Sequence, residues 1–578
     1  MTFRKNIDNK SVKNRNTGYP SLDKTHLQGA KFTELHPPAI SVNPYHLIKI
    51  LNRKRLDRVC FESWYDGSKH TYCELLEDVE SAAKSLRMYG LDRGDTITIA
   101  TPVLYESFVV FVAAVASGIN VSLAHFYLGT ETLARYAESH GSAMFFSYEQ
   151  NEEFALAILK GTKKAKYVVN IDYQWLTKDG TIPFHEFFNY GKIICRNEKI
   201  KFPLLDSKVR FWLQTSGSTQ GVPKDMAFGL KQIFNMLMQA ANASDTSIKN
   251  DCSTILVQLT PLSMPYVMTM TFANLAAGQN VNIIDGTNRE HVTKFFSSIA
   301  DRSDLVVFGI PSFYASLVEL MPEDAALPKE VTLYNGGDHL PDKLRVDLLK
   351  CFTAHGSSQI QVCDDYGIGE ALCVGSDGKH LSQFDEKGNI RPRARAYRGT
   401  KWVLIDENGD EVKYGEKGKI LISSKSLCEE YHDDPLATRR AFFDDGTTRW
   451  FDTGDYGILD RDGCLTIIGR EKNFFIPEGA HDKVNCDTIA HIIEGCGLVK
   501  HCCVVVGHQG NFECGIAFVE LSSADENRDS AEGKIYRYAK SRLEDFQMPA
   551  KIIIIDQMPF MGSGKVDRKQ LETIANTE

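Results

Sequence analysis

Short apolar runs alternate along the chain with longer segments in which the apolar residues follow helical spacing. The first pattern is typical of buried strands and the second of helices that pack on a sheet. The strand-like runs include Thr96–Ala100, Tyr167–Ile171, Asp304–Phe308 and Gly418–Ile422, and helical spacing covers Thr71–Tyr89 and Glu131–His140. This repeated alternation predicts an α/β fold.

The chain divides into segments of different character. At 578 residues it is too long for a single hydrophobic core. A boundary is predicted near Gly469–Asn473, after the turn-rich segment DRDGCLTIIGREKN, so that residues 31–471 form a large domain and residues 472–578 a small one. Residues 1–30 begin with a basic, polar stretch without an apolar core segment, which predicts a loose extension rather than a secretory signal.

Composition and charge exclude some classes of protein. The net charge of −9 argues against a general nucleic-acid binder, which needs a basic surface. The 14 cysteines are scattered, as expected for reduced thiols in a cytoplasmic protein. The most apolar stretch, Phe108–Ala116, is about half the length that spans a bilayer and predicts a buried helix, with no membrane span.

The sharpest chemical signal is Thr215–Lys224, with the sequence TSGSTQGVPK, which follows the strand-like run Val209–Leu213. Glycines, hydroxyl residues and a lysine in one loop can surround phosphate oxygens with N–H and O–H donors. The segment is not a Walker loop, because GxxxxGK[ST] is absent. On composition alone, a flexible surface loop remains an equal alternative.

Other motifs give this loop its context. TSGSTQGVPK resembles the phosphate loop of the adenylate-forming superfamily, which contains acyl-CoA synthetases, aryl acid ligases, peptide-synthetase adenylation domains and luciferases. Further segments resemble its motifs in the same order: TYCEL (71–75), 94–118, YNGGDHLP (334–341), DDYGIGEA (364–371), 450–473 and GSGKVDRKQL (562–571). The resemblance implies the family's fold, a large multi-subdomain N-terminal α/β domain and a small mobile C-terminal α/β domain.

The resemblance also implies roles for individual residues in binding ATP and Mg²⁺. Glu370 would hold the metal, because magnesium prefers carboxylate and phosphate oxygens. Tyr366 would stack on adenine and Asp455 would accept hydrogen bonds from the ribose, with Arg470 beside it. The remaining nucleotide-binding residues implied are Thr215, Ser216, Gly217, Ser218, Thr219 and Lys224 around the phosphates, and Gly336, Gly337, Asp338, Asp364 and Gly367 around the base.

Two lysines near the C-terminus have roles implied by their motifs. Lys565 would be the catalytic lysine of adenylation, with Lys224 and Glu370 as the other catalytic residues; a solvated tail lysine is the alternative. Lys472 occupies the family's hinge position, where a rotation of the small domain would change the half-reaction from adenylation to thiol transfer.

The chain departs from the family pattern at several positions. Gln220 is an apparent insertion in the phosphate loop, Asp225 follows Lys224 where glycine is common, and Gly369 replaces a threonine. The loop after Gly479 is about two residues longer than is typical, which leaves the identity of the thiol open.

The sequence evidence is weakest for the residues that would bind the carboxylic acid. An apolar wall of Leu262, Met264, Tyr266 and Phe313 is expected, although core packing would select the same residues. No aspartate is placed to pair with an α-amino group. An apolar aryl or acyl acid is therefore the predicted substrate.

These observations lead to one main hypothesis and two alternatives. The chain is predicted to be an acid–thiol ligase that uses ATP and Mg²⁺, with CoA or the phosphopantetheine of a separate carrier protein as acceptor. The departures at Gln220, Asp225 and Gly369 motivate a catalytically degenerate binder of nucleotide or acid as the first alternative. The second alternative is a luciferase-like oxygenase that acts on its own adenylate.

Overall fold

The computed structural model describes most of the chain after residue 42. The described residues are 43–150, 152–171, 180–203, 205, 209–215, 223–232, 234–235, 253–377, 383–384, 390–391, 393–397, 399–477, 483–509, 512–523, 528–561 and 564–576. The predicted extension 1–30 and residues Ser216–Thr219 and Gln220 lie outside them.

The largest sheet has 14 strands and combines a parallel half with an antiparallel half. Its strands, in spatial order, are Thr400–Ile405, Lys417–Ser424, Arg449–Leu459, Cys464–Arg470, Arg393–Ala396, Leu372–Ser376, Gln359–Ile368, Glu330–Gly336, Asp304–Gly309, Thr254–Gln258, Asn280–Ile284, Val59–Ser63 and Lys69–Thr71, with Phe442–Asp444 paired to Arg449–Leu459. The strands Asp304–Gly309, Glu330–Gly336 and Gln359–Ile368 run parallel, so their carboxyl ends meet at one edge.

A second sheet has 8 strands and contains the hairpin that carries the predicted phosphate loop. In spatial order its strands are Glu430–Tyr431, Asp225–Gly229, Arg210–Gln214, Asn120–Leu123, Thr96–Ala100, Ser142–Ser147, Tyr167–Asn170 and Thr181–Pro183. Gln214 and Asp225 are paired at the end of this hairpin. Thr215 and Lys224 are therefore held side by side where the loop begins and ends.

The C-terminal part of the chain has its own small sheet. Its strands are Val499–Gln509, Phe512–Leu521 and Lys551–Ile555. Two shorter sheets pair Gln383–Phe384 with Ile390–Arg391 and Phe474–Phe475 with Val484–Asn485.

Helices cover the faces of these sheets. The α-helices of the described residues are Pro44–Leu51, Tyr72–Met88, Tyr105–Ser117, Thr130–Ser139, Glu152–Gly161, Phe184–Asn189, Pro265–Ala277, Arg289–Ser298, Pro311–Leu320, Asp342–Ala354, Pro435–Ala441, Cys486–Glu494, Arg528–Lys540 and Arg568–Ala575. A π-helical turn spans Tyr190–Ile194, and 3₁₀ turns span Glu471–Asn473 and Asp545–Gln547. None of the described helices is both long and apolar enough to cross a bilayer.

The main sequence predictions agree with these elements. Thr96–Ala100 is a strand with the predicted bounds, and the helix predicted over Thr71–Tyr89 spans Tyr72–Met88. It begins at a capping box, in which the Thr71 side chain accepts from the Glu74 N–H and Glu74 accepts from the Thr71 N–H. The stretch Phe108–Ala116 lies in a buried helix, as predicted.

The hydrophobic clusters divide the described chain near the predicted boundary. The clusters formed before residue 472 contain no member beyond it, and two further clusters contain only residues from Phe475 onwards. This separation supports the division between residues 471 and 472, which remains a prediction.

Gly191 lies where two helical segments pack so closely that no larger residue fits at its position. A Cβ at this position would lie 1.8 Å from the Ser81 carbonyl oxygen, and the Gly191 N–H donates to Ser85 Oγ at 2.9 Å. We expect Gly191→Ala to destabilise the protein by about 3 kcal/mol, because the clash is with backbone rather than a flexible side chain. Thermal unfolding would show a drop of several degrees in Tm. Gly497→Ala is the matched control, since nothing lies within 4 Å of its Cβ, and equal Tm values for both variants would refute the prediction.

Candidate nucleotide-binding and active site

Asp455 lies at the centre of the candidate site and is almost fully buried. Its Oδ1 accepts from Arg470 Nε at 2.9 Å, and its Oδ2 accepts from the Tyr366 hydroxyl at 2.8 Å. Burial raises the pKa of Asp455, whereas Arg470 and the Tyr366 hydrogen bond lower it. The structure thus brings together the residues predicted to bind the ribose and the base.

The edge formed by Asn335–Gly337 and Asp364 has one buried acceptor without a partner. Asn335 Nδ2 donates to the Asp338 carbonyl at 2.8 Å and to Asp364 Oδ1 at 2.9 Å, which fixes the orientation of the amide. Within the described residues, Asn335 Oδ1 then lacks a donor. An exocyclic amino group such as that of adenine fits this acceptor. Asp364 itself is also paired with Arg345, a residue that sequence reasoning missed.

Lys224 and Glu370 are connected through a tyrosine. The Tyr431 hydroxyl donates to Glu370 Oε1 at 2.6 Å, and Lys224 Nζ lies 4.6 Å from the centre of the Tyr431 ring. Thr215 Oγ1 accepts from the Lys224 N–H at 2.9 Å, which closes the base of the phosphate loop.

The environment of Glu370 agrees with a role as one metal ligand among phosphate oxygens. Glu370 is half-buried, and a carboxylate is a donor set that suits Mg²⁺. In the described part of the chain, no group of three or more His, Cys, Asp or Glu side chains could hold a metal ion on its own.

Two of the departures from the family pattern have a packing role. The Asp225 side chain accepts from Gln214 Nε2 at 3.2 Å and lies 3.5 Å from His140 Nε2, in a buried setting that raises its pKa to about 7. At Gly369, a Cβ would lie 3.1 Å from the side chain of Met226. The threonine expected there would therefore compete with Met226 for space.

Lys565 lies against the large domain rather than in solvent. Its Cε is 3.8 Å from the ideal Cβ position of Gly337. Burial lowers the pKa of Lys565, while Asp338 and Asp455 raise it and Arg470 lowers it further. Gly564 makes this approach feasible, because a Cβ there would lie 2.5 Å from Ile310 Cδ1.

Lys472 occupies the connection between the two sets of clusters. It lies in the 3₁₀ turn Glu471–Asn473, directly after Arg470 at the end of its strand. Burial lowers the pKa of Lys472. Its role as hinge stays a prediction.

The four residues predicted to line the acid site do not form one wall. Leu262 and Phe313 are core residues that belong to different hydrophobic clusters, and Phe313 fills the space beside Gly286 and Gly309. Met264 and Tyr266 are half-buried at the start of the helix Pro265–Ala277. Of the four, only these two have side chains available to a ligand to any extent, so their role stays a prediction.

His125, which sequence reasoning missed, connects the predicted phosphate loop to the segment predicted to bind the acid. Its Nε2 lies 3.2 Å from the Thr215 carbonyl and its Nδ1 lies 2.6 Å from Ser263 Oγ. A carbonyl only accepts, so Nε2 carries the proton and Nδ1 accepts from the Ser263 hydroxyl. His125 therefore joins Thr215 to Ser263 through hydrogen bonds.

Little in the sequence indicated that these missed residues would contact the candidate site. His125 lies in the loop after the strand Asn120–Leu123, Arg345 in the helix Asp342–Ala354 and Tyr431 in the strand Glu430–Tyr431. Each belongs to a different element from its partner, which is Thr215, Asp364 or Glu370 respectively. Only the end of an apolar strand run before His125 indicated a polar side chain at a sheet edge.

The comparisons with known proteins agree with this architecture and site. The model of the AMP-binding enzyme family matches residues 49–432, and that of the AMP-binding enzyme C-terminal domain matches residues 488–565. Among solved structures, the anthranilate CoA ligase AuaEII in complex with anthranoyl-AMP superposes with a TM-score of 0.78 at 16% identity, over 93% of this chain and 98% of that one. The fold is thus that of the adenylate-forming enzymes, with a large N-terminal and a small C-terminal domain. The chain belongs to the AMP-binding enzyme family, within the adenylate-forming superfamily.

Two curated relatives to which the chain is similar are named for different activities. Long-chain-fatty-acid–CoA ligase FadD13 of Mycobacterium tuberculosis is 28% identical over 62% of this chain, and the match spans 65% of the length of FadD13. D-Alanine–D-alanyl carrier protein ligase of Bacillus cereus is 23% identical over 88% of this chain and 95% of its own length. These proteins use different acids and acceptors according to their names.

The stability of the protein should depend on pH through His125. Burial lowers the pKa of His125 to about 4, against about 6.5 in an unfolded chain. Between these values the unfolded chain binds more protons, so His125 makes stability fall as pH falls from about 6.5 to about 4, by about 1.4 kcal/mol per pH unit at most. Thermal unfolding at pH 7, 6 and 5 should show a smaller loss of Tm for His125→Asn than for the wild type.

The control for this experiment is His508→Asn, because His508 is exposed. This variant should keep the wild-type dependence of Tm on pH. Parallel profiles for wild type and His125→Asn would contradict the prediction.

Proposed function

We propose that the protein activates a carboxylic acid with ATP and transfers the acyl group to a thiol. In the first step a carboxylate oxygen attacks the α-phosphorus, the bond to the β-phosphate breaks, and pyrophosphate leaves. In the second step the thiol sulfur attacks the acyl carbonyl, the bond to AMP breaks, and the thiol proton is released. CoA or the phosphopantetheine of a separate carrier protein is the proposed acceptor.

One observation carries the proposal. The tail lysine Lys565 lies beside Gly337, and its charge interacts with those of Asp455 and Arg470, the pair predicted to hold the ribose. Both the acid and the phosphates are anionic, so a buried cation beside them would offset the charge that develops in the transition state. A protein that only binds nucleotide has no need for this lysine.

The remaining residues have matching roles. Lys224 would face the outgoing phosphates, and Thr215, Ser216, Gly217, Ser218 and Thr219 would donate to them. Tyr366, Gly336, Gly337, Asp338, Asp364 and Gly367 would surround the base, and Asp455 with Arg470 would hold the ribose. Mg²⁺, held by Glu370 and phosphate oxygens, would neutralise phosphate charge.

The acid is proposed from the half-buried Met264 and Tyr266 and from the names of similar proteins. AuaEII is named as an anthranilate ligase and FadD13 as a long-chain fatty acid ligase. We propose an aryl or acyl acid with a largely apolar body. Cytoplasmic location and a carrier-protein partner are proposed on the same basis of family resemblance.

The test is acid-dependent exchange of labelled pyrophosphate into ATP, with a panel of benzoates, cinnamates, fatty acids and amino acids. Exchange with at least one acid is expected, and we expect Lys565→Ala to lower its rate a hundredfold or more through loss of the buried cation. Lys569→Ala, an exposed lysine on the same tail, is the matched control and should retain the wild-type rate. ATP binding without exchange for any acid would favour a degenerate binder instead.

A rigid hinge should separate the two half-reactions. A proline at position 472 is compatible with the φ of a 3₁₀ turn and would hold the turn Glu471–Asn473 in its present conformation. We expect Lys472→Pro to keep pyrophosphate exchange within about threefold of wild type and to lower thioester formation at least tenfold. Adenylation is the internal control, and an equal loss of both rates would argue against a hinge at this residue.

A further inference from the structure

Two adjacent isoleucines on the π-helical turn Tyr190–Ile194 are exposed to solvent. Ile193 is 60% exposed and Ile194 66%, and no large hydrophobic residue in the described part of the chain is more exposed than Ile194. Single exposed apolar side chains are normal on protein surfaces, whereas adjacent ones begin to form a patch. The pair therefore calls for a physical explanation.

The turn that carries the isoleucines is anchored from its inner side. Gly191 packs against the helix Tyr72–Met88, where its N–H donates to Ser85 Oγ at 2.9 Å and a Cβ would lie 1.8 Å from the Ser81 carbonyl oxygen. Lys192 Nζ also lies 3.4 Å from Asp78 Oδ1 in the same helix. Ile193 and Ile194 are thus exposed on a turn that is well packed beneath them.

The same helix extends the apolar surface. Residues three or four positions apart lie on one face of an α-helix, so Met88 follows Ser81 and Ser85 on the face that contacts the turn. Met88 is 49% exposed. Met88, Ile193 and Ile194 together are called the apolar patch below.

Basic residues accompany the apolar patch on the same two segments. They are Lys84, Arg87, Arg196, Lys199 and Lys201, and all except the half-exposed Lys84 are exposed. Glu198 is the one acidic residue in the sequence between residues 192 and 201. Because the whole chain has a net charge of −9, this local excess of positive charge differs from the rest of the protein.

An anionic membrane surface matches this combination of side chains. Apolar side chains enter the boundary between headgroups and acyl chains, while lysine and arginine contact anionic headgroups. A second copy of the chain would bring two basic surfaces face to face, which like charges disfavour. Residues 1–42 contain more basic than acidic residues, so charge also disfavours their binding to this surface.

The position of the patch favours a membrane over a protein that delivers a thiol. The π-helical turn packs on the helix Phe184–Asn189, which covers the strands Tyr167–Asn170 and Thr181–Pro183 at one end of the 8-stranded sheet. The hairpin that carries the predicted phosphate loop lies towards the opposite end of that sheet. A carrier protein would have to dock near the hairpin instead.

We propose that the apolar patch and its basic neighbours bind the protein peripherally to bilayers that contain anionic lipids. This binding goes beyond the proposed function, because it involves neither ATP nor the acid. A largely apolar carboxylic acid partitions into bilayers, so a ligase bound there would meet its substrate where the substrate accumulates.

The test is co-sedimentation of the full-length protein with vesicles made from equal parts of phosphatidylcholine and phosphatidylglycerol. Vesicles of phosphatidylcholine alone are the neutral comparison. We expect binding to the anionic vesicles to be at least about tenfold tighter, and to weaken at about 0.5 M salt because salt screens exposed charges. Equal binding to both kinds of vesicle, or binding to neither, would overturn the proposal.

A first double variant, Ile193→Ser with Ile194→Ser, removes the apolar contribution. It should lower the affinity for anionic vesicles about tenfold or more, because two side chains no longer enter the lipid. The matched control is Leu436→Ser with Val346→Ser, which changes two exposed apolar residues on other helices and should bind as the wild type does. An equal loss in both double variants would contradict the proposal.

A second double variant, Arg196→Glu with Lys199→Glu, reverses charge at exposed positions and leaves the isoleucines in place. It should also lower the affinity about tenfold or more. Lys329→Glu with Lys350→Glu, two exposed lysines elsewhere, is its control. Unfolding temperatures verify folding, and this variant decides the test if the isoleucine variant unfolds. Unchanged vesicle binding after the charge reversal would refute the proposal.

Two further measurements separate this proposal from its alternatives. Sedimentation velocity without vesicles should give the same oligomeric state for the wild type and both patch variants. A change of oligomeric state on replacing the isoleucines would assign the patch to self-association and overturn the proposal. Vesicle binding requires no turnover, so failure of pyrophosphate exchange with every acid would refute the proposed function and leave the membrane proposal standing.

Discussion

A buried negative charge lies where three strands of the large sheet come together. Asp455 extends from the strand Arg449–Leu459, Arg470 from the end of Cys464–Arg470, and Tyr366 from Gln359–Ile368. Since an isolated buried carboxylate is strongly unfavourable, Asp455 requires both partners in place. The position of Arg470 in turn determines where the chain leaves the large domain and enters the turn that contains Lys472. The nucleotide site and the connection to the small domain therefore depend on the same ion pair.

Asn335 and Asp364 lie towards the carboxyl ends of parallel strands, which is where α/β sheets usually bind ligands, whereas Asp455 and Arg470 come from antiparallel strands of the same sheet. Each polar group on this edge is satisfied by a different partner: Asp364 by Arg345 and Asn335, Glu370 by Tyr431, and Asp455 by Arg470. Against this background, Asn335 Oδ1 is a buried acceptor on this edge that lacks a donor among the described residues, and a ligand can satisfy it.

The departures from the family pattern illustrate how packing changes the meaning of a motif. Asp225 in place of glycine, and glycine in place of threonine at 369, indicated a degenerate binder when considered alone. In the structure, Asp225 interacts with Gln214 and His140, and Gly369 makes room for Met226. Both changes involve the hairpin beneath the phosphate loop, and neither removes Lys224, Glu370 or Lys565 from the site.

The sequence by itself determined the α/β class, the bounds of strands such as Thr96–Ala100, and the motifs that bring Tyr366, Asp455, Arg470 and Lys565 into one hypothesis. Local spacing suffices for the fold class and the strand bounds, because these depend on neighbours along the chain, whereas the grouping of the four site residues came from the resemblance of their motifs to the adenylate-forming superfamily. Only the tertiary structure decided that Phe313 and Leu262 are core residues, that His125 bridges Thr215 and Ser263, and that Asp365 faces Tyr266 and Tyr397. Those contacts join segments far apart in sequence, and the composition of each segment is equally compatible with a buried core, so the physical difference arises only when the strands are placed side by side.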